Sequence, residues 1–71
     1  MRKVFQCEVD CANCAAKMQR NAEKIDGVRD VSVNFMTQKL TLDATDARFD
    51  AILDEVVKVC KKVDSDFTIK R

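Results

Sequence analysis

Along 71 residues the spacing of the apolar side chains switches four times, and the order of the switches limits the fold more than any single residue does. Phe5, Cys7 and Val9 alternate, with Lys3, Gln6 and Glu8 expected largely off that face, as in a strand with one buried side. From Cys14 the apolar positions fall three or four apart, at Ala15, Met18, Ala22 and Ile25, the stripe of a helix of about three turns. Gly27 is placed to stop it. Val31, Val33 and Phe35 alternate again, as do Leu40 and Leu42, so 36–38 reads as the short connection of a hairpin. Helical spacing returns at Phe49, Ile52, Leu53, Val56, Cys60 and Val63, with Thr45 and Asp46 as candidate caps and Lys61 and Lys62 in the last turn. Phe67 and Ile69 then share one face of a short final strand.

Strand, helix, strand, strand, helix, strand is the α+β ferredoxin-like βαββαβ pattern: a four-stranded antiparallel sheet with both helices on one face. Right-handed crossovers require the spatial strand order 4-1-3-2. The first two strands then run one way and the last two the other. The loop at 10–13, the turn around Met36 and the turn at 64–66 therefore meet at one end of the domain. A chain this short makes one domain, residues 1–71, and buries only about 60% of its unfolded surface.

Composition removes several classes of function. With 13 basic and 12 acidic side chains the net charge is +1, too little to wrap nucleic acid or hold an anionic membrane surface. No segment approaches the roughly 20 apolar residues of a membrane-spanning helix, and "MRKVFQCEVD" alternates where a signal peptide would be continuously apolar. A cytosolic setting is expected, in which the four cysteines stay reduced. RNA-binding RRM domains share the element order, but they stack bases on exposed aromatics; "KLTLDA" has none and Phe5 points inward.

The cysteines carry what chemistry there is. Cys7 lies on the inward face of the first strand and Cys60 on the apolar stripe of the second helix, so both read as small core side chains. Met36 reads as a lid packed over the core. Cys11 and Cys14, in "VDCANCAAKM", stand three apart where strand gives way to helix, and the N–H groups and dipole of the helix start should favour both thiolates. That spacing serves metal binding and disulfide exchange alike. Thioredoxin-like pairs belong to a larger fold and usually have aromatic or Pro neighbours, whereas this chain lacks Pro, Trp and Tyr. Inert burial fits a loop position poorly. With no His in the chain, a metal site here must use sulfur and oxygen.

"VDCANCAAKMQRNAEKIDGVRDVSVNFMTQKLTLDA" resembles the heavy-metal-associated domain across almost its whole length, through the Cys-x-x-Cys loop, "IDGV", "VSVNF" and "TQKL". It is most similar to the cytosolic N-terminal modules of zinc, cadmium and lead exporting P-type ATPases, in which an Asp directly precedes the first cysteine, as Asp10 does. The resemblance implies capture and relay of Zn(II), Cd(II) or Pb(II), with Cu(I) as a further possible cargo. The partner would be a membrane transporter, with this domain part of the same polypeptide, or a metallochaperone. A free-standing copper or mercury metallochaperone is the alternative, and a thiol-disulfide redox protein the enzymatic one. No catalytic site of its own is expected. Two thiolates satisfy Cu(I), but divalent ions want about four ligands, so an Asp10 oxygen beside the sulfurs shifts preference toward them. Asp10 also fits as a helix cap or a solvated loop charge. A fourth ligand is open among water, a partner's donor, Asp64 and Asp66.

Overall fold

In the computed structural model, which describes residues 1–70, the elements are β1 (Arg2–Glu8), α1 (Ala12–Ala22), β2 (Val28–Asn34), β3 (Lys39–Ala44), a 3-10 turn (Asp46–Arg48), α2 (Phe49–Val63) and β4 (Thr68–Lys70). Arg71, the end of the expected last strand, lies outside the described residues. The sheet order is β2-β3-β1-β4 with every neighbour antiparallel, which is the expected 4-1-3-2 read from the other edge. Phe5 and Val33 both face Leu40 across their ladders, and Cys7 faces Ile69, so the apolar sets of all four strands share one side.

Both helices pack on that side. Ala15, Met18 and Ala22 of α1 and Phe49, Ile52, Leu53, Val56 and Cys60 of α2 close over the sheet residues in one continuous core, which Phe67 completes from the turn before β4. At about 1.5–3 kcal/mol for each large side chain removed from water, this burial is what folds so short a chain.

Four expectations change at the edges of that core. Lys3 belongs to the inward set of β1 by alternation, because it pairs with Leu42; it lies at the rim, with its Nζ 5.7 Å over the Phe49 ring. The ring offers its negative face to the cation while the ammonium stays near water. Helix α1 ends at Ala22, before Gly27, and unwinds through tighter i→i−3 bonds from Lys24 to Asn21 and from Ile25 to Ala22. Gly27 serves the following turn, at φ +95, where an added Cβ would lie 2.7 Å from Ile52 Cδ1. Neither Thr45 nor Asp46 caps a helix through its side chain; the 3-10 turn leads into α2, and the Asp46 carboxylate pairs at 2.7 Å with the Met1 amino group.

Cys7 and Cys60 are buried, as their faces required. Burial, and then the proximity of Cys7, pushes the Cys60 thiol up to about 12. The sign of the linkage is that of a raised pKa. The neutral thiol's stabilisation is complete below the unfolded value of about 9 and is lost as pH rises toward about 12. Urea unfolding measured between those limits should therefore show stability falling more steeply in the wild type than in Cys60→Ala. Parallel profiles would mean that Cys60 does not titrate across the transition.

Candidate metal centre

Three residues join β1 to α1, and their backbone decides where the sulfurs go. Val9 is buried below the loop, Asp10 is exposed, and Cys11 takes the N-cap position of α1 with extended backbone, φ −145 and ψ 133. The Cys11 carbonyl accepts the first helical hydrogen bond, from the Ala15 N–H at 3.0 Å. Cys14 follows in the first turn, half-buried against the core cluster, and Cys11 is half-buried beside it.

The two thiols are electrostatically unequal. Cys11 makes no well-aligned cap bond, yet its pKa is held below the ordinary thiol value by the Cys14 backbone N–H, then by the Cys14 thiol and the Asn13 N–H, with Lys17 adding a little. These groups face the sulfur because the first N–H groups of a helix have no partner within it. Cys14 moves the other way. Its thiol is the donor to Cys11, and desolvation, the Cys11 charge and Asp64 disfavour a second thiolate beside the first. The expectation that the helix start favours both thiolates therefore holds for Cys11 and fails for Cys14. The pair is best described as sharing one proton, and a bound cation would have to displace it.

Asp10 meets a different group. One carboxylate oxygen each from Asp10, Asp64 and Asp66 lies within 4.8 Å of the others. Asp64 caps the end of α2, where its N–H donates to the Cys60 carbonyl at 3.0 Å, and its Oδ1 accepts from the Asp66 N–H at 3.0 Å. The turns at 10–13 and 64–66 thus converge as the topology required. Among the described residues, no comparable group of three joins the Asp10 carboxylate to both sulfurs. The acidic group stands beside the thiol pair, close enough for Asp64 to act on Cys14.

The hairpin supplies a correction and an omission. Met36 is 87% exposed and is no lid; Phe35, packed against the core, fills that place. Gln38, which sequence reasoning passed over, adopts φ +56 and turns its side-chain amide onto Val9. A bulky polar residue between two hairpin strands carries no signal of that conformation, which Gly and Asn usually occupy.

Alkylation by iodoacetamide should discriminate among the four thiols. Cys11 should react first, with a midpoint below 9.0, and Cys14 later. Cys7 and Cys60 should react only on unfolding, since both are buried with raised pKa values. Peptide mass spectrometry across pH resolves the order; equal rates at Cys11 and Cys14 would contradict the inequality of the two thiols.

Comparison with known proteins identifies the family. The sequence profile of the heavy-metal-associated domain matches residues 4–64. The cadmium, zinc and cobalt-transporting ATPase of Bacillus subtilis (strain 168) is 30% identical over 63 residues, 89% of this chain and 9% of that protein. The cadmium-transporting ATPase of Staphylococcus aureus is 53% identical over 30 residues, 42% of this chain and 4% of that one. The chain thus spans less than a tenth of the length of these relatives. Among solved structures, the N-terminal domain of ZntA in its apo form superposes with a TM-score of 0.68 at 30% identity, covering 97% of this chain and 88% of that one. The N-terminal domain of a potential copper-translocating P-type ATPase from Bacillus subtilis, in its Cu(I)-loaded state, gives 0.75 at 24% identity, over 97% and 82%. The profile match takes in both cysteines of the loop and nearly all of the core, and the chain belongs to the heavy-metal-associated domain family.

Proposed function

We propose that this domain takes up a heavy-metal ion on Cys11 and Cys14 and hands it on to a membrane transporter, as the cytosolic N-terminal module of a metal-exporting P-type ATPase. The observation that carries this reading is the pair of free, half-buried sulfurs at the start of α1, three residues apart, with Cys11 at the helix N-cap and Cys14 in the first turn. A thiolate is already favoured at Cys11, and the incoming cation replaces the proton kept at Cys14. Zn(II), Cd(II) or Pb(II) is the preferred cargo. These ions need oxygen beyond the two sulfurs, and Asp10, exposed and adjacent in the chain to Cys11, is the proposed donor. The names of the ATPase relatives support the divalent choice. The domain performs no reaction of its own; any ATP hydrolysis belongs to the parent transporter.

A second reading, a free-standing carrier of Cu(I) or Hg(II), is favoured by one observation. The Asp10 carboxylate groups with Asp64 and Asp66, which leaves two sulfurs that suffice for a two-coordinate soft ion.

Substitution separates the roles. Cys11→Ser and Cys14→Ser should each abolish tight one-to-one binding of Cd(II) in competition with a chelator, while Cys60→Ser keeps it; unchanged affinity in Cys14→Ser would reject the site. Because the ligating thiols must be deprotonated, binding should also release protons and weaken toward acid.

Asp10→Ala discriminates the cargo. Zn(II) and Cd(II) affinities should fall by about tenfold or more, while Cu(I) affinity stays near that of the wild type. Equal losses for the two classes of ion would remove Asp10 from the ligand set.

A further inference from the structure

A residue of the β2–β3 hairpin reaches across to the connection between β1 and α1. The ladder between β1 and β3 runs to the Gln6–Lys39 pair, and the next bond in it is made by the Gln38 backbone, whose carbonyl accepts from the Cys7 N–H at 2.9 Å. Two residues further on, just past the end of β1, the Gln38 side chain takes over. Its Oε1 accepts from the Val9 N–H at 2.8 Å, and its Nε2 donates to the Val9 carbonyl at 3.0 Å. The same Nε2 donates to the Phe35 carbonyl at 2.7 Å and so closes its own turn. One amide thus stands in for a missing strand residue and ties the hairpin to the last residue before Asp10 and Cys11.

We infer that Gln38 is a positioning residue for metal capture, holding Val9 so that the Cys11 sulfur is presented at a fixed place. The inference rests on the metal-capture reading above. The loop is held at both ends, by Gln38 at Val9 and by the first helical bond at Cys11, with Asp10 the exposed residue between them. Metal–sulfur bonds tolerate little error in position, and groups that orient a ligand without touching the ion commonly matter to affinity. The backbone of Gln38 argues the same way. At φ +56 a residue present for the turn alone would be Gly or Asn, because the left-handed region is costly for a longer side chain. A glutamine there is accounted for by what its amide reaches.

Gln38→Gly and Gln38→Met test this together. The glycine relieves the backbone while removing the amide; the methionine keeps the length and removes only the polar atoms. Three measurements are made on each variant and on the wild type: urea stability, hydrogen exchange of the Val9 amide in the metal-free protein, and Cd(II) affinity by chelator competition, followed in thiolate-to-metal absorbance. Both variants should exchange Val9 faster and bind Cd(II) about tenfold more weakly, although Gln38→Gly remains fully folded. Wild-type Cd(II) affinity in Gln38→Gly, or unchanged protection of Val9, would overturn the positioning role and leave the metal site standing. A wild type that fails to bind Cd(II), or a Cys14→Ser variant that binds equally well, would overturn the metal-capture reading itself, and the positioning role with it.

Discussion

Only three residues separate the end of β1 at Glu8 from the start of α1 at Ala12, and that short connection governs the domain. A strand paired on both sides has to leave the sheet and become a helix lying across it, so Val9 is pulled into the core and Cys11 is forced onto the helix N-cap. Cys14 then falls in the first turn by helical geometry alone. The Cys11 sulfur consequently sits where unpaired helix N–H groups favour negative charge, with the Cys14 thiol beside it. The same topology brings the end of α2 and the β2–β3 turn to that end of the sheet, which is why Asp64, Asp66 and Gln38 come near the loop from far along the chain.

The charge around the loop favours reversible capture. A site with two ready thiolates would be high in negative charge before any ion arrived. Here the first thiolate is stabilised at Cys11, while Cys14 keeps its proton because it donates to Cys11 and feels Asp64. In the proposed role, binding would exchange a proton for a cation, so part of the affinity would depend on pH and the ion could be surrendered to a competing set of thiolates. The carboxylates of Asp10, Asp64 and Asp66 add negative charge beside the sulfurs, which raises the local concentration of any cation.

Periodicity was enough to read the elements and the faces of both helices, because one buried face imposes strict spacing on every element, and the right-handed crossover rule then gave the sheet order. Val31, Val33, Leu40, Leu42 and Val56 are buried as that spacing demands. Cys11 and Cys14 could be singled out for a similar reason, since their position depends on the strand-to-helix junction and little else. The misreadings fall where local pattern and tertiary contact diverge. Lys3 obeys strand alternation, but its charge hid its place at the rim over Phe49. Asp46 is chemically a good cap, yet a nearby amino group competes for it. Met36 was read as apolar and therefore packed, but it stands exposed in the turn while its neighbour Phe35 packs against the core. Gln38 was invisible because its role depends on a backbone conformation and a partner 29 residues away.

The proposed role requires a domain that takes up and releases an ion without unfolding, and the core is built to allow it. Phe67, Met18, Leu40, Leu42, Ile52 and Val56 are among the fully buried side chains, and they come from every layer of the fold without involving the loop sulfurs. Zinc-finger domains differ, because their metal supplies the folding energy and removing it unfolds them. In this domain the burial of apolar surface supports the fold, so metal binding is not consumed in ordering the chain. The loop is then organised before the ion arrives, by the helix on one side and the Gln38 amide on the other. Losing the ion leaves that frame in place, and a domain that keeps its shape when empty is ready for the next ion as soon as the last one has left.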